Sequence, residues 1–315
     1  MPTEPFLKLL YREYAKVDAK ELIDLACPLL RELVNHGTNV FMRCQAEAHD
    51  GQADEHVPIF SSYLHVLEIT DGVEELLSES CVNPAVPLVR SSFEAVLGIK
   101  YILERDYRRR AFAWMVGYAH AKLDFYERFD PATSKGKSFA EAIADDEVLN
   151  QINLPPEADP KAAADNMRQL LAKPQYQDAE AEYQQRKKRM KRVPQWWFSL
   201  FGGPSNLRDL AISLRRGAEY EILYRQWSAI AHGLDVARFL APRDTAGEAS
   251  IYSLRNGKEL PQIALYAATY MLDATRALIL RFRPGERESL GRWYLRDVRT
   301  PFQKLARTEV RINVV

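Results

Sequence analysis

Tyr224, Arg225, Ser228 and His232 fall together in the segment YRQWSAIAHG, and their side chains are of the types that act on a phosphodiester. In an α-helix, positions seven apart are separated by two turns but by only about 20° of rotation. Arg225 and His232 therefore share a face, roughly 10 Å apart along the axis, with Ser228 between them on the same side. Tyr224 flanks that stripe at about 40° from the serine. Arginine presents a permanent charge and a planar fork of donors suited to phosphate, and histidine gives or takes a proton near neutral pH. Such a pair could cleave RNA without a metal. The ribose 2′-hydroxyl attacks the adjacent phosphorus, His232 acts as general base or acid, and Arg225 stabilises charge on the phosphoryl oxygens. Ser228 or Tyr224 would position the phosphate. The ordinary structural alternative has Arg225 paired with a carboxylate, His232 closing a helix before Gly233, and Tyr224 packed in the core.

Other groups have a solvated or scaffolding role as the competing reading. Arg90 and Glu94 are one helical turn apart and form either an intrahelical pair or a support in which Glu94 orients Arg90 or Arg225. Arg186, Lys187, Lys188, Arg189, Lys191 and Arg192 make a basic run that could hold an RNA backbone, aided by stacking on Trp196. Glu180 and Glu182 dilute its field, so an exposed helix face is the competing reading. Glu47, His49, Asp50, Asp54, Glu55 and His56 cluster without the spacing of any metal motif and read as an acidic turn. No metal or cofactor is expected. Glycine-rich phosphate loops, dinucleotide fingerprints and Gly-x-Ser-x-Gly elbows are absent from the sequence.

YRQWSAIAHG resembles the arginine, spacer, histidine signature of the HEPN superfamily, helical proteins that include many metal-independent RNases and defence toxins. The spacer here is six residues. LVRSSFEAVLGIKYIL at 88–103, followed by Tyr-xxx-Ser-xxx-His-Gly at 224–233, also looks like a bacterial family recorded only as a domain of unknown function and thought to be HEPN-like. The resemblance implies that Arg225 and His232 are the catalytic pair of a metal-independent RNA endonuclease, a toxin or phage-defence effector. Tyr224, Ser228, Arg90 and Glu94 would support it. It also implies a homodimer that brings two such helices together, with RNA as substrate and an antitoxin or defence partner. The sequence departs from the pattern at Gln226, where many HEPN nucleases carry Asn, Asp or His. A non-catalytic helical module binding a nucleotide, RNA or protein is the alternative, and a purely structural interaction protein is a third.

The elements that must position these residues read as helical throughout. Hydrophobic residues make up 47% of the chain and charged residues 27%, the balance of a folded globular protein. A formal net charge of zero supplies no global pull toward nucleic acid or a membrane. Cys27, Cys44 and Cys81 show no CxxC pairing, which suits a reducing, cytoplasmic setting, and the N-terminus reads as neither a signal peptide nor a membrane span. Asp18 and Glu21 have capping-box spacing ahead of a long helix that ends near Asn35–Gly37 or continues to about Glu47. Further helices are expected over 59–80, from Asn83-Pro84 to about Glu104, and over 107–129, whose aromatic residues read as core. Short polar helices follow to about 173, then an exposed charged helix over 175–193. Helices over 207–214, 217–236, 261–283 and 286–306 complete the pattern, and the β-branched content and Asn256-Gly257 suggest a short β-hairpin or an irregular excursion between 237 and 260. The expected fold is all-α, a HEPN-like helical bundle with peripheral helices. Its regions are an N-terminal part, 1–57, a core, 58–283, with a polar insertion near 130–195, and a C-terminal helix and tail, 284–315.

Overall fold

In a computed structural model, which describes residues 4–7, 9–48, 53–152, 159–190, 196–234, 240 and 251–308, the apolar spacing of the first third yields four helices. They are α1 (Arg12–Asp18), α2 (Lys20–Glu47), α3 (Ala53–Ser78) and α4 (Val82–Glu104). Asp18 and Glu21 form no capping box: Asp18 closes α1, and Ala19 precedes α2 without a side-chain cap. Of the two expected ends for α2, the later one at Glu47 is adopted. Both following helices start earlier than expected, so Pro58 and Pro87 lie inside α3 and α4. Asn83 is likewise inside α4 and does not cap it, and Pro84 is its third residue. There the missing N–H removes no internal bond, because the first helical donors have no partner anyway.

The chain divides into two compact units, Asp106–Asn206 and the remainder. The first holds α5 (Tyr107–Phe129), α6 (Ser134–Asp145), α7 (Pro160–Ala172) and α8 (Gln177–Met190). Thr133 and Asp159 cap α6 and α7 by accepting from the backbone N–H of Gly136 and Ala162, at 2.9 and 2.8 Å. Phe112, Val116 and Ala119 of α5 pack with Leu171, Tyr176, Ala179 and Tyr183. The expected charged helix is thus amphipathic, since α8 buries Ala179 and Tyr183. The aromatic content of α5 is not all core: Phe112 is buried, whereas Tyr118 and Phe125 are exposed.

The second unit adds to α1–α4 the helices α9 (Leu207–Ser213), α10 (Gly217–Glu219), α11 (Arg225–Ala231), α12 (Leu260–Phe282), α13 (Arg287–Trp293) and α14 (Arg299–Ala306). A π turn, Tyr220–Tyr224, joins α10 to α11, and a second, Tyr294–Val298, interrupts the expected C-terminal helix between α13 and α14. The apolar α12 is central, packing on α2, α3 and α4, and α11 lies on α4. By length and composition α12 could cross a bilayer, and 56% of its most apolar stretch is buried by its neighbours. Among the described residues there is no strand. Leu240 and Ile251 form an isolated antiparallel bridge. Residues 237–239 and 241–250 of the expected hairpin lie outside the described residues, as do 49–52 of the acidic turn and 309–315 of the tail; Asn256-Gly257 is described, and it follows the bridge in a run of bends and turns leading into α12 instead of turning a hairpin. The fold is all-α.

Close packing at the centre depends on Gly37 in α2. A Cβ there would lie 2.5 Å from Met271 Cε, 2.8 Å from Leu67 Cδ1 and 3.1 Å from Tyr63 Oη. The first two are ends of flexible side chains, so G37A should stay within about 1 kcal/mol of the wild type, helped by the better helix propensity of alanine. A β-branched side chain has no such escape, and G37V should lose about 1–3 kcal/mol in urea denaturation. Equal stability of G37V and the wild type would refute this close approach.

Candidate functional site

Arg225 and His232 stand at the two ends of α11. The amide of His232 still donates to the Ser228 carbonyl at 3.0 Å, so its Cα remains on the helical path and the seven-residue spacing holds. Gly233 then turns left-handed, with φ of 66°, and Leu234 N–H bonds back to Ala229 O at 2.8 Å. This is the helix-ending pattern in which glycine supplies the conformation a side chain resists. It ends the helix at Ala231, short of the expected Val236, and leaves His232 exposed at the terminus.

The side chain of Arg225 is 70% exposed and donates to Glu221 at 2.9 Å. Glu221 also accepts from Arg208, and the bonds from Arg208 and Arg225 hold its carboxyl below the usual range. Ser228 is half-buried and Gln226 exposed. Tyr224 faces the other way. It is 8% exposed, its ring stacks on Tyr220 with centroids 4.9 Å apart, and it leans on Phe93 of α4. Its hydroxyl accepts from Arg90 Nη2 at 2.6 Å and donates to Glu94 Oε1 at 2.8 Å. The Arg90 guanidinium lies 4.5 Å from the centroid of the same ring, and Arg90 Nε is 3.7 Å from Glu94. Of the two arginines that Glu94 was expected to orient, it is Arg90 that it meets. The structure therefore joins Arg90, Glu94 and Tyr224 in one cluster and places Arg225 and His232 on the exposed side of α11. Burial pushes the Tyr224 hydroxyl up to about 12, against the opposing pull of the Arg90 bond.

A second polar cluster, absent from the sequence reading, lies in the same unit. Arg216, 12% exposed, makes a bidentate pair with Glu219 and a further bond to Asp273 of α12. Lys100 of α4 reaches the same Asp273 oxygen at 3.0 Å, and the Tyr270 hydroxyl donates to Glu219 at 2.7 Å. Burial opposes the charge on Arg216, but its bond to Glu219 and the nearby carboxylates outweigh it and raise its pKa. A signal was present: Asp273 is the one carboxylate in the apolar run 260–282, and a buried charge needs a partner.

In the other unit, Arg186, Lys187, Lys188 and Arg189 lie on α8. Lys187, Lys188 and Arg189 are exposed, and Arg186 is half-buried, donating to Ser199 O at 2.7 Å. Trp196 stacks on Phe198 with centroids 5.4 Å apart. Lys191 and Arg192 lie outside the described residues. His120 bonds Glu180 at 2.7 Å and stacks on Tyr183 at 3.9 Å. Among the described residues no group of three His, Cys, Asp or Glu is arranged as a metal site.

Residues 56–245 match the model of a family described as a family of unknown function (DUF5677). The matched stretch takes in Arg90, Glu94, Tyr224, Arg225 and His232. No curated protein and no solved structure matches the chain.

Removing the Tyr224 hydroxyl strips Arg90 of an acceptor and Glu94 of a donor, so Y224F should cost about 1–2 kcal/mol in urea denaturation. The wild type carries a linked pH dependence. A tyrosine whose pKa is raised on folding stabilises the native state below its ordinary value of 10.0 and loses that stabilisation as pH rises toward about 12. Burial also raises Tyr63 and Tyr270. Unfolding free energy should therefore fall steadily above pH 10, with a shallower slope in Y224F. An unchanged slope would show that Tyr224 ionises as freely in the folded chain as in the unfolded one.

Proposed function

As the chain belongs to DUF5677, a family of unknown function, we propose from its geometry and its HEPN-like motif that α11 carries a metal-independent RNA endonuclease site. One observation carries this reading: Arg225 and His232 both open to solvent two turns apart on a single helix, while Tyr224 beside them is held inward. Arg225 takes the scissile phosphate. Its present partner, Glu221, is a half-buried carboxylate one turn away, and such side-chain pairs near the surface contribute only about 0.3–0.5 kcal/mol, so the phosphodiester, a monoanion with several oxygens to offer the same planar fork, can take its place. The 2′-hydroxyl oxygen then bonds to phosphorus as the bond to the 5′-oxygen breaks. His232 moves a proton on one side of that exchange, and in a homodimer the same residue of a second copy serves the other. The products are a 2′,3′-cyclic phosphate and a 5′-hydroxyl.

The rival reading, a module that binds RNA or a nucleotide without cleaving it, is favoured by the meeting of Arg208 and Arg225 on Glu221. A phosphate replacing that carboxylate would be held by two guanidinium groups with no chemistry required.

Incubating the full chain with mixed RNA in chelator separates the two. The nuclease reading expects fragments with cyclic-phosphate ends, with H232A and R225A each slowing cleavage by about 100-fold or more while near-UV circular dichroism stays unchanged. Expression of the wild type should arrest growth, and H232A should relieve it, as for a toxin or defence effector. RNA that is retained but left intact by the wild type establishes the binding module instead.

A further inference from the structure

We propose that a cleft between α12 and the end of α14 is a binding site for a small anion with a planar aromatic body. The inference does not use the RNA-cleavage reading. The cleft is a groove open to solvent with a volume of about 390 Å³, inside the range of roughly 300–1,000 Å³ typical of small-molecule sites. Leu265 and Leu305 provide apolar lining, and the ring of Tyr266 provides a flat wall. Lys258 is the charged side chain of the lining, which contains no carboxylate. Its ammonium rests against the Tyr252 ring, 5.4 Å from the centroid, and makes no ion pair among the described residues. That leaves a positive charge at the mouth of an aromatic, apolar recess.

The hydrogen-bonding groups narrow the ligand further. Thr269 gives its hydroxyl proton to the Leu265 carbonyl at 2.7 Å, so toward the cleft it offers lone pairs and suits an N–H donor on the ring. Gln262, one turn before Tyr266 on α12, lines the same cleft and adds an amide that can donate or accept. A nucleobase carrying a phosphate meets all of these conditions. An aromatic carboxylate meets the charge and ring conditions alone.

Occupancy would also reach α11. Tyr266 packs edge-to-face on Trp227, 5.2 Å between centroids at 77°, and Trp227 is the buried anchor of α11. A ligand stacked on Tyr266 therefore presses on the ring that seats the helix bearing Arg225 and His232, and tryptophan emission should change on binding.

Isothermal titration of the full chain with adenosine 5′-monophosphate and, separately, salicylate tests the proposal. Saturable binding of either probe is expected, with the nucleotide tighter if the Thr269 contact is used. K258Q should weaken the nucleotide about fivefold at low salt. A306W, which fills the cleft from the exposed last residue of α14, should abolish binding while leaving the circular dichroism spectrum intact. Adenosine without phosphate should bind wild type and K258Q equally. No saturable heat with either probe, or affinity unchanged in both K258Q and A306W, overturns the assignment.

Discussion

The orientation of α11 depends on one buried hydroxyl. Tyr224 ends a π turn, and a π turn inserts extra chain into the helical repeat, so the residues after it take a rotation that local propensity does not set. The hydroxyl sets it. Oη has a donor on one side, Arg90, and an acceptor on the other, Glu94, and both come from the same face of α4. A rotation of one residue would take the Tyr224 hydroxyl away from Arg90 and Glu94 together, whose side chains are only half-buried on α4. Each hydrogen bond to a charged group contributes about 1.5–3 kcal/mol, more than a helix gains by local adjustment.

A second constraint acts along α4 in the same sense. Lys100, Arg216 and Asp273 tie α4, the segment before α10 and α12 to one another, and Phe93 lies between the two polar clusters. The Arg216 guanidinium sits 5.5 Å from the Phe93 ring and 5.4 Å from that of Tyr270. Apolar packing of α4 on α12 tolerates small sliding, because one aliphatic contact replaces another. Paired charges do not, because each has one geometry in which its donors and acceptors are met. The apolar face thus supplies the bulk of the association, and the polar pairs fix its register.

The helices were largely legible, because a long apolar repeat has one solution: 261–283 and 107–129 were read within a residue of their observed bounds. Helix starts near prolines were less so. Val82 and Ala53 begin their helices ahead of Pro84 and Pro58, since tertiary packing compensates for donors that the local sequence lacks. The stop after Ala231 was readable in Gly233, a residue suited to a left-handed turn, but the apolar residues beyond it masked the signal. The π turn could not be read, because nothing in YEILY distinguishes it from ordinary helix. For the candidate site, spacing put Arg225 and His232 on one face but also put Tyr224 beside them as a group to position the phosphate, whereas the π turn and the contacts with Arg90 and Glu94 hold it inward on α4. What spacing could not supply was the partner of each cation, which depends on how α4 lies against α11.

That partnering divides the labour between two arginines. Arg90 is held by a hydroxyl, a carboxylate and an aromatic face, all on packed helices, so releasing it for a ligand means opening the core contact that orients Tyr224. Arg225 is held by one half-buried carboxylate, Glu221 of the preceding π turn, while its own guanidinium stands in water, where the pair is weak and screened by salt. A phosphodiester carries the same single charge as Glu221 but offers several acceptors to the same planar fork, so exchange at Arg225 needs no rearrangement of the fold. In the proposed reaction the half-buried cation is therefore a positioning group and the exposed one meets the substrate. The difference comes from desolvation and from the number of partners, not from any difference between the two side chains.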